Sequence, residues 1–220
     1  MTLKIYGILR SRASRVVWLA KELGLAFEHV PVLQAYKLAD PSAPDAPFNT
    51  ASPAFRAVNP NGLIPSIEDD GFTLSESLAI NLYLAKKHGG PLAPRDVRED
   101  GLMTMWTVWA VTECEPRSIQ ILYHRVSKPE SERDPAAADA AIEALKRPFG
   151  VLETALREGD GFVVGRRFTV VDINLSEVLR YAQPAPELFA EYPRVKAWIQ
   201  ACQARPAFQE MMAERNREPA

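Results

Sequence analysis

Asn59-Pro60-Asn61-Gly62-Leu63-Ile64-Pro65-Ser66, followed shortly by Leu74-Ser75-Glu76-Ser77-Leu78, is the stretch on which the fold of this chain turns. It sets a hydrophobic-Pro step at the start of a strand and an acid–hydroxyl pair at the start of a helix. Proline has no N–H to donate, so a strand cannot run through Pro65 as ordinary sheet. The N–H and C=O of Ile64 are then available to pair with a segment added from outside. Glu76 offers a group for an ammonium and Ser77 one for a carboxylate. Both stand beside a helix N-terminus, whose first N–H groups lack intrahelical acceptors and favour anions. An extended zwitterionic peptide suits that arrangement.

Upstream of this stretch, Leu3 to Ile8 alternates as a strand does. A helix follows, with Val16, Val17, Leu19, Ala20 and Leu23 at helical spacing and Gly24 as its stop. Phe27 to Val32 reads as a second strand, giving a βαβ unit and hence parallel pairing. Residues 34–52 carry Pro41, Pro44 and Pro47 and read as a long loop, of the kind that tends to be functional. Ile64–Glu68 and Phe72–Leu74 flank Asp69-Asp70-Gly71, a short hairpin connection. Ser75 to Lys87 is then a helix with Leu78, Leu82 and Ala85 facing inward.

At His88-Gly89-Gly90-Pro91-Leu92-Ala93-Pro94 the texture changes to a Gly/Pro linker, and helical patterns dominate beyond it. Leu102 to about Val126 is helical, with Met105, Trp106, Trp109 and Ala110 on one side. Ile142, Leu145, Phe149, Leu152 and Leu156 form a stripe broken by Pro148. An interior proline costs roughly 3 kcal/mol, so a kink or two meeting helices is expected there. Phe162 to Val164 has strand character. Thr169-Val170-Val171-Asp172 resembles a capping box, with Asp in place of Glu or Gln, opening a helix to Tyr181. Tyr192 to Ala204 is the last clear helix, and residues 214–220 read as a polar tail that frays. The expectation is an α/β domain with a mixed sheet over residues 1–86 and an all-α domain over 95–220.

Composition bounds the function classes. Of 220 residues 47% are apolar, enough for a sizeable core, and no apolar run approaches the ~20 residues of a membrane span. No signal-peptide pattern is apparent after Met1. A net charge of −2 argues against a dedicated nucleic-acid binder. Cys114 and Cys202 do not suggest a disulfide framework, and His29, His88 and His124 show no metal-ligand spacing. A soluble cytoplasmic protein is expected, with no metal, nucleic-acid or membrane partner.

These features, in this order, resemble the cytosolic glutathione transferase superfamily across essentially the whole chain. Asn59 to Pro65 looks like the family's loop into a cis-Pro strand, and Ser75-Glu76-Ser77 like its motif for the γ-glutamyl end of glutathione. Thr169 to Asp172 is similar to its buried capping box. The resemblance implies a thioredoxin-like N-terminal domain (βαβ-ββα), which binds glutathione as co-substrate. It also implies a helical domain for the second substrate, a small hydrophobic electrophile. Leu63, Ile64 and Pro65 would pair with the cysteinyl residue like an added strand. Glu76 would take the γ-glutamyl ammonium and Ser77 the adjacent carboxylate.

By spacing, Ser11 matches the catalytic serine of the theta- and delta-like classes and the catalytic cysteine of the beta-like class. Tyr6 and Ser14 are rival positions, and Ser11 alone is also a good helix cap. The energetic demand is modest. A free thiol of pKa near 8.5 is about 3% ionised at pH 7, and lowering it by two units takes about 2.7 kcal/mol. One hydrogen bond to a charged acceptor contributes about 1.5–3 kcal/mol, and a helix dipole some tenths more.

The glycyl carboxylate usually meets a basic side chain, but residues 49–53 read Asn-Thr-Ala-Ser-Pro; Asn49, Arg12 and Lys37 are the substitutes. For the second substrate, Arg12, Trp106, Trp109, Thr112, Glu113 and Tyr123 are candidates, the last five around the first helix of the helical domain. A homodimer follows from the resemblance alone. The competing readings are a non-enzymatic interaction module on the same fold and a glutathione-dependent peroxidase or isomerase.

Overall fold

The structure is a computed structural model and describes residues 3–218. β1 (Leu3–Tyr6), α1 (Ala13–Glu22) and β2 (Phe27–Val30) form the expected βαβ unit, with β1 and β2 parallel from Leu3↔Phe27 to Tyr6↔Val30. β3 (Ser66–Asp69) runs antiparallel to β1, and β4 (Phe72–Ser75) antiparallel to β3. The sheet is mixed, in the order β2-β1-β3-β4. The β3–β4 turn places Asp70 at φ 51° and Gly71 at φ 86°, both positive as a two-residue I′ hairpin turn requires.

Leu3, Ile5 and Ile67 are buried with the inner faces of α1 and α3 (Ser77–His88). Strand alternation sends Tyr6 the other way, into a cluster with Val32 and Phe55 that Ile64, Phe48, Val30 and Val58 border. Phe55 comes from α2 (Pro53–Val58), a helix that the sequence pattern does not reveal. Its single buried side chain gives no periodicity to read, and its only local signal is a proline in its first turn.

The remaining helices are α4 (Val97–Trp109), α5 (Glu115–Leu122), α6 (Pro135–Glu158), α7 (Val170–Leu179), α8 (Pro186–Glu191), α9 (Pro193–Gln203) and α10 (Pro206–Arg217). π-helical turns, Ala110–Cys114 and Tyr123–Ser127, follow α4 and α5. The helix expected from Leu102 to Val126 is thus divided. α6 is one helix through Pro148, with Leu145, Pro148, Phe149 and Leu152 all buried; packing of that stripe offsets the proline's cost. Phe162 to Val164 forms no strand. The capping box is present: Thr169 N–H donates to Asp172 Oδ2 at 2.8 Å, and Thr169 Oγ1 accepts from Val171 N–H at 3.3 Å. Trp198 Nε1 donates to Asp172 Oδ1 at 2.8 Å, which ties α9 to the same carboxylate.

Two compact units emerge, the chain to His88 together with the segment from Pro206, and Gly89–Arg205. The expected second domain, 95–220, therefore loses its last helix to the first unit. The cause is α10, which packs on α1. Trp18 and Phe208 meet edge-on at 4.9 Å, and Lys21 Nζ bridges Glu210 at 2.7 Å and Glu214 at 2.9 Å. The tail expected to fray is helical to Arg217, and Glu218 is hydrogen-bonded; residues 219–220 lie outside the described residues. Among the described residues no helix is long and apolar enough to cross a membrane.

Candidate functional site

The site is built where β1 ends. Gly7 follows it at φ 133°, and a Cβ there would lie 3.0 Å from Ile64 Cβ and 3.1 Å from Ala13 Cβ. Only glycine lets the chain pass this closely between the start of α1 and the Ile64–Pro65 step. The Ile64–Pro65 peptide is cis. Pro65 is buried, while Leu63 is 61% exposed. Asn59, buried, shapes the approach: its Nδ2 donates to Leu63 C=O at 2.7 Å and its Oδ1 accepts from Asn61 N–H at 3.1 Å. Among the described residues, the Ile64 N–H and C=O find no partner.

Glu76 opens α3 with an exposed side chain and a backbone at φ 70°, a left-handed conformation that non-glycine residues seldom adopt. Its C=O accepts the Ile80 N–H at 2.9 Å. Ser77 beside it is buried, and Arg15 Nη1 donates to its Oγ at 3.3 Å. Arg15 is 1% exposed, in contrast to the exposed Arg12 three residues earlier. It sets a guanidinium at the N-terminal end of α3, where helix dipole and cation both favour an anion. Asn81 Nδ2 donates to Arg15 C=O at 3.3 Å and fixes α3 to α1.

Ser11 is half-buried just ahead of α1. Its hydroxyl donates to Ile8 C=O at 2.6 Å and accepts from Ala13 N–H at 3.1 Å. The rival hydroxyls have other tasks. Tyr6 donates to Glu68 Oε2 at 3.3 Å, with burial first and Glu68 second pushing its pKa up. Ser14 is fully buried and donates to Ser11 C=O at 3.1 Å.

Of the glycyl-end substitutes, Asn49 is buried and its amide braces the loop: Nδ2 donates to Pro41 and Pro47 carbonyls at 3.0 and 2.8 Å, and Oδ1 accepts from Ala51 N–H at 2.8 Å. Arg12 and Lys37 are exposed. In the helical unit, Trp109 packs edge-on against Trp106 at 5.0 Å, and Tyr123 is 42% exposed. Thr112 bonds its own helix through Val108 C=O at 3.2 Å. Glu113 lies in the first π-helical turn, paired with Arg147 and with Arg117. No local signal distinguishes its side chain from a solvated acid, because Arg147 approaches from α6.

Sequence reasoning passed over Gly7 and the burial of Arg15. An isolated glycine closing an alternating strand is a signal of close backbone approach. The burial of Arg15 has no comparable signal.

This geometry agrees with what the chain is similar to. Residues 5–92 match the family model of the glutathione S-transferase N-terminal domain, and residues 115–206 that of the C-terminal domain. Glutathione S-transferase 3 of Zea mays is 32% identical over 96% of this chain and 93% of its own length. Glutathione transferase F7 of Populus trichocarpa has a TM-score of 0.82 at 28% identity, covering 97% of this chain and 99% of that one. A theta class glutathione S-transferase of Xanthomonas axonopodis pv. citri, solved with glutathione bound, has a TM-score of 0.77 at 27% identity, with 94% and 95% covered. The chain belongs to the glutathione S-transferase family.

Proposed function

We propose that this glutathione transferase ionises its co-substrate's thiol with the Ser11 hydroxyl and conjugates the thiolate to small hydrophobic electrophiles. The observation that carries the reading is the packing around Gly7, which brings the start of α1 and the Ile64–Pro65 step against one residue. An added strand at Ile64 therefore delivers its cysteinyl side chain towards Ser11. Ile64 N–H and C=O take the cysteinyl backbone, flanked by Leu63 and Pro65. Glu76 receives the γ-glutamyl ammonium, and Ser77, backed by Arg15, its carboxylate.

On binding, the Ser11 hydroxyl keeps its proton and turns its hydrogen bond from the Ile8 carbonyl to the sulfur, the thiol's own proton leaving to solvent, while the Ala13 N–H keeps the serine oxygen in place. A charged acceptor holds that proton about twice as strongly as a neutral one. Trp109 and Tyr123, each next to or within one of the two π-helical turns, supply apolar surface for the electrophile, Glu113 braces the first of those turns through Arg117 and Arg147, and Arg12 attracts anionic substrates. The protein acts in the cytoplasm as a homodimer. The exposed Leu102, Met105 and Val108 of α4 favour such pairing.

Calorimetric titration with glutathione and turnover of an aryl electrophile test this. Wild type is expected to bind and turn over, with Ser11→Ala binding glutathione comparably and losing about 10- to 100-fold in kcat/KM. Absence of glutathione binding defeats the transferase reading; full activity in Ser11→Ala defeats the assignment to Ser11.

A further inference from the structure

The turn carrying Ser11 has backbone N–H groups that neither the sheet nor α1 uses. Leu9 N–H donates to Oε1 of Glu218 at 2.8 Å, and Arg10 N–H to Oε2 at 3.0 Å. Arg10 Nε donates to the backbone C=O of Glu218 at 3.0 Å. One carboxylate at the end of α10 thus chelates the two peptide units between Ile8, whose C=O receives the Ser11 hydroxyl, and Ser11 itself. The far end of the clamp is anchored too, through Trp18–Phe208 and the Lys21 ion pairs, on the helix that Ser11 precedes.

We infer that Glu218 is a positioning residue for Ser11: its carboxylate holds residues 8–11 in the conformation that aims the hydroxyl at the glutathione thiol. Charge-assisted bonds to adjacent N–H groups are short and directional, which suits them to fixing a turn. The inference rests on the assignment of Ser11 above. It has an opposing effect built in. The negative charge of Glu218 alone disfavours a nearby thiolate, so losing the field lowers the thiol pKa while losing the clamp raises it. The direction of the change separates the two.

The experiment follows the pH dependence of the bound thiolate's ultraviolet absorbance, and of kcat/KM, in wild type, Glu218→Ala, Ser11→Ala and the double variant. Glu218→Ala is expected to raise the thiol pKa and lower kcat/KM at neutral pH about three- to tenfold, with KM for glutathione within about twofold. It is expected to add nothing in the Ser11→Ala background, the mark of two residues acting as one. Glu218→Gln keeps the shape and one acceptor, so it should fall between, and it carries the test if the alanine variant does not fold. A thiol pKa that stays or falls, or effects that add in full, overturns the inference. If Ser11→Ala itself leaves the thiol pKa unchanged, the assignment of Ser11 falls instead.

Discussion

Glu76 holds a left-handed backbone at φ 70°, a strain of about 1–2 kcal/mol for a residue with a Cβ. Such strain persists where surrounding structure fixes it, and here it presents a carboxylate at the mouth of α3. Glu76→Gly should therefore separate stability from binding. Chemical denaturation is expected to show the variant as stable as wild type or up to about 1 kcal/mol more so. Calorimetry is expected to show glutathione affinity about 10- to 100-fold lower, the loss of a charged hydrogen bond. A variant less stable than wild type contradicts the strain. At this scale the sequence was legible in position: Ile64-Pro65, Glu76-Ser77 and Ser11 each lie at an element boundary, as the pattern of the chain indicates. The burial of Arg15 was not legible, since nothing in Ser14-Arg15-Val16 tells that α3 will cover its guanidinium.

Among the elements, those with a repeating apolar face were readable and those held by one or two distant contacts were not. α1 and α6 announce themselves through their stripes. α2 buries Phe55 alone, and α10 is fixed by Phe208 and Met211 against a helix nearly two hundred residues earlier in the chain. α4 carries a checkable electrostatic clamp within the helical unit. Arg167 meets Glu99 with Nη1–Oε1 at 2.9 Å and Nη2–Oε2 at 2.7 Å, and also holds the Pro91 and Ala93 carbonyls. The Arg167 hydrogen bonds, foremost, lower the Glu99 pKa from 4.5 to about 2. A carboxyl held below its unfolded value contributes stability above that value and loses it as pH falls through the folded one. The free energy of unfolding, followed from pH 4.5 to about 2, should therefore decline more steeply in wild type than in Glu99→Gln. Equal slopes would mean that the pair is screened by solvent.

For the whole molecule, the texture of the sequence changes at Gly89-Gly90 and the second compact unit begins at Gly89, but nothing local shows that the chain returns to the first unit at Pro206. The exposed apolar row on α4, with Leu102 at 47%, Met105 at 49% and Val108 at 56%, bears on assembly. Sedimentation at micromolar concentration is expected to give a dimer, and Met105→Asp a shift towards monomer; a wild-type monomer contradicts the homodimer. An interaction module without chemistry has no use for a hydroxyl ahead of α1, an unpaired strand step at Ile64 and a strained acid at the start of α3, and their presence in one unit is why the transferase reading stands. It is tested most directly by titrating the thiol of enzyme-bound glutathione. Wild type should ionise it about two units below the free value of ~8.5, and Ser11→Ala should return it towards that value. A bound thiol with the same pKa in both proteins would contradict the account.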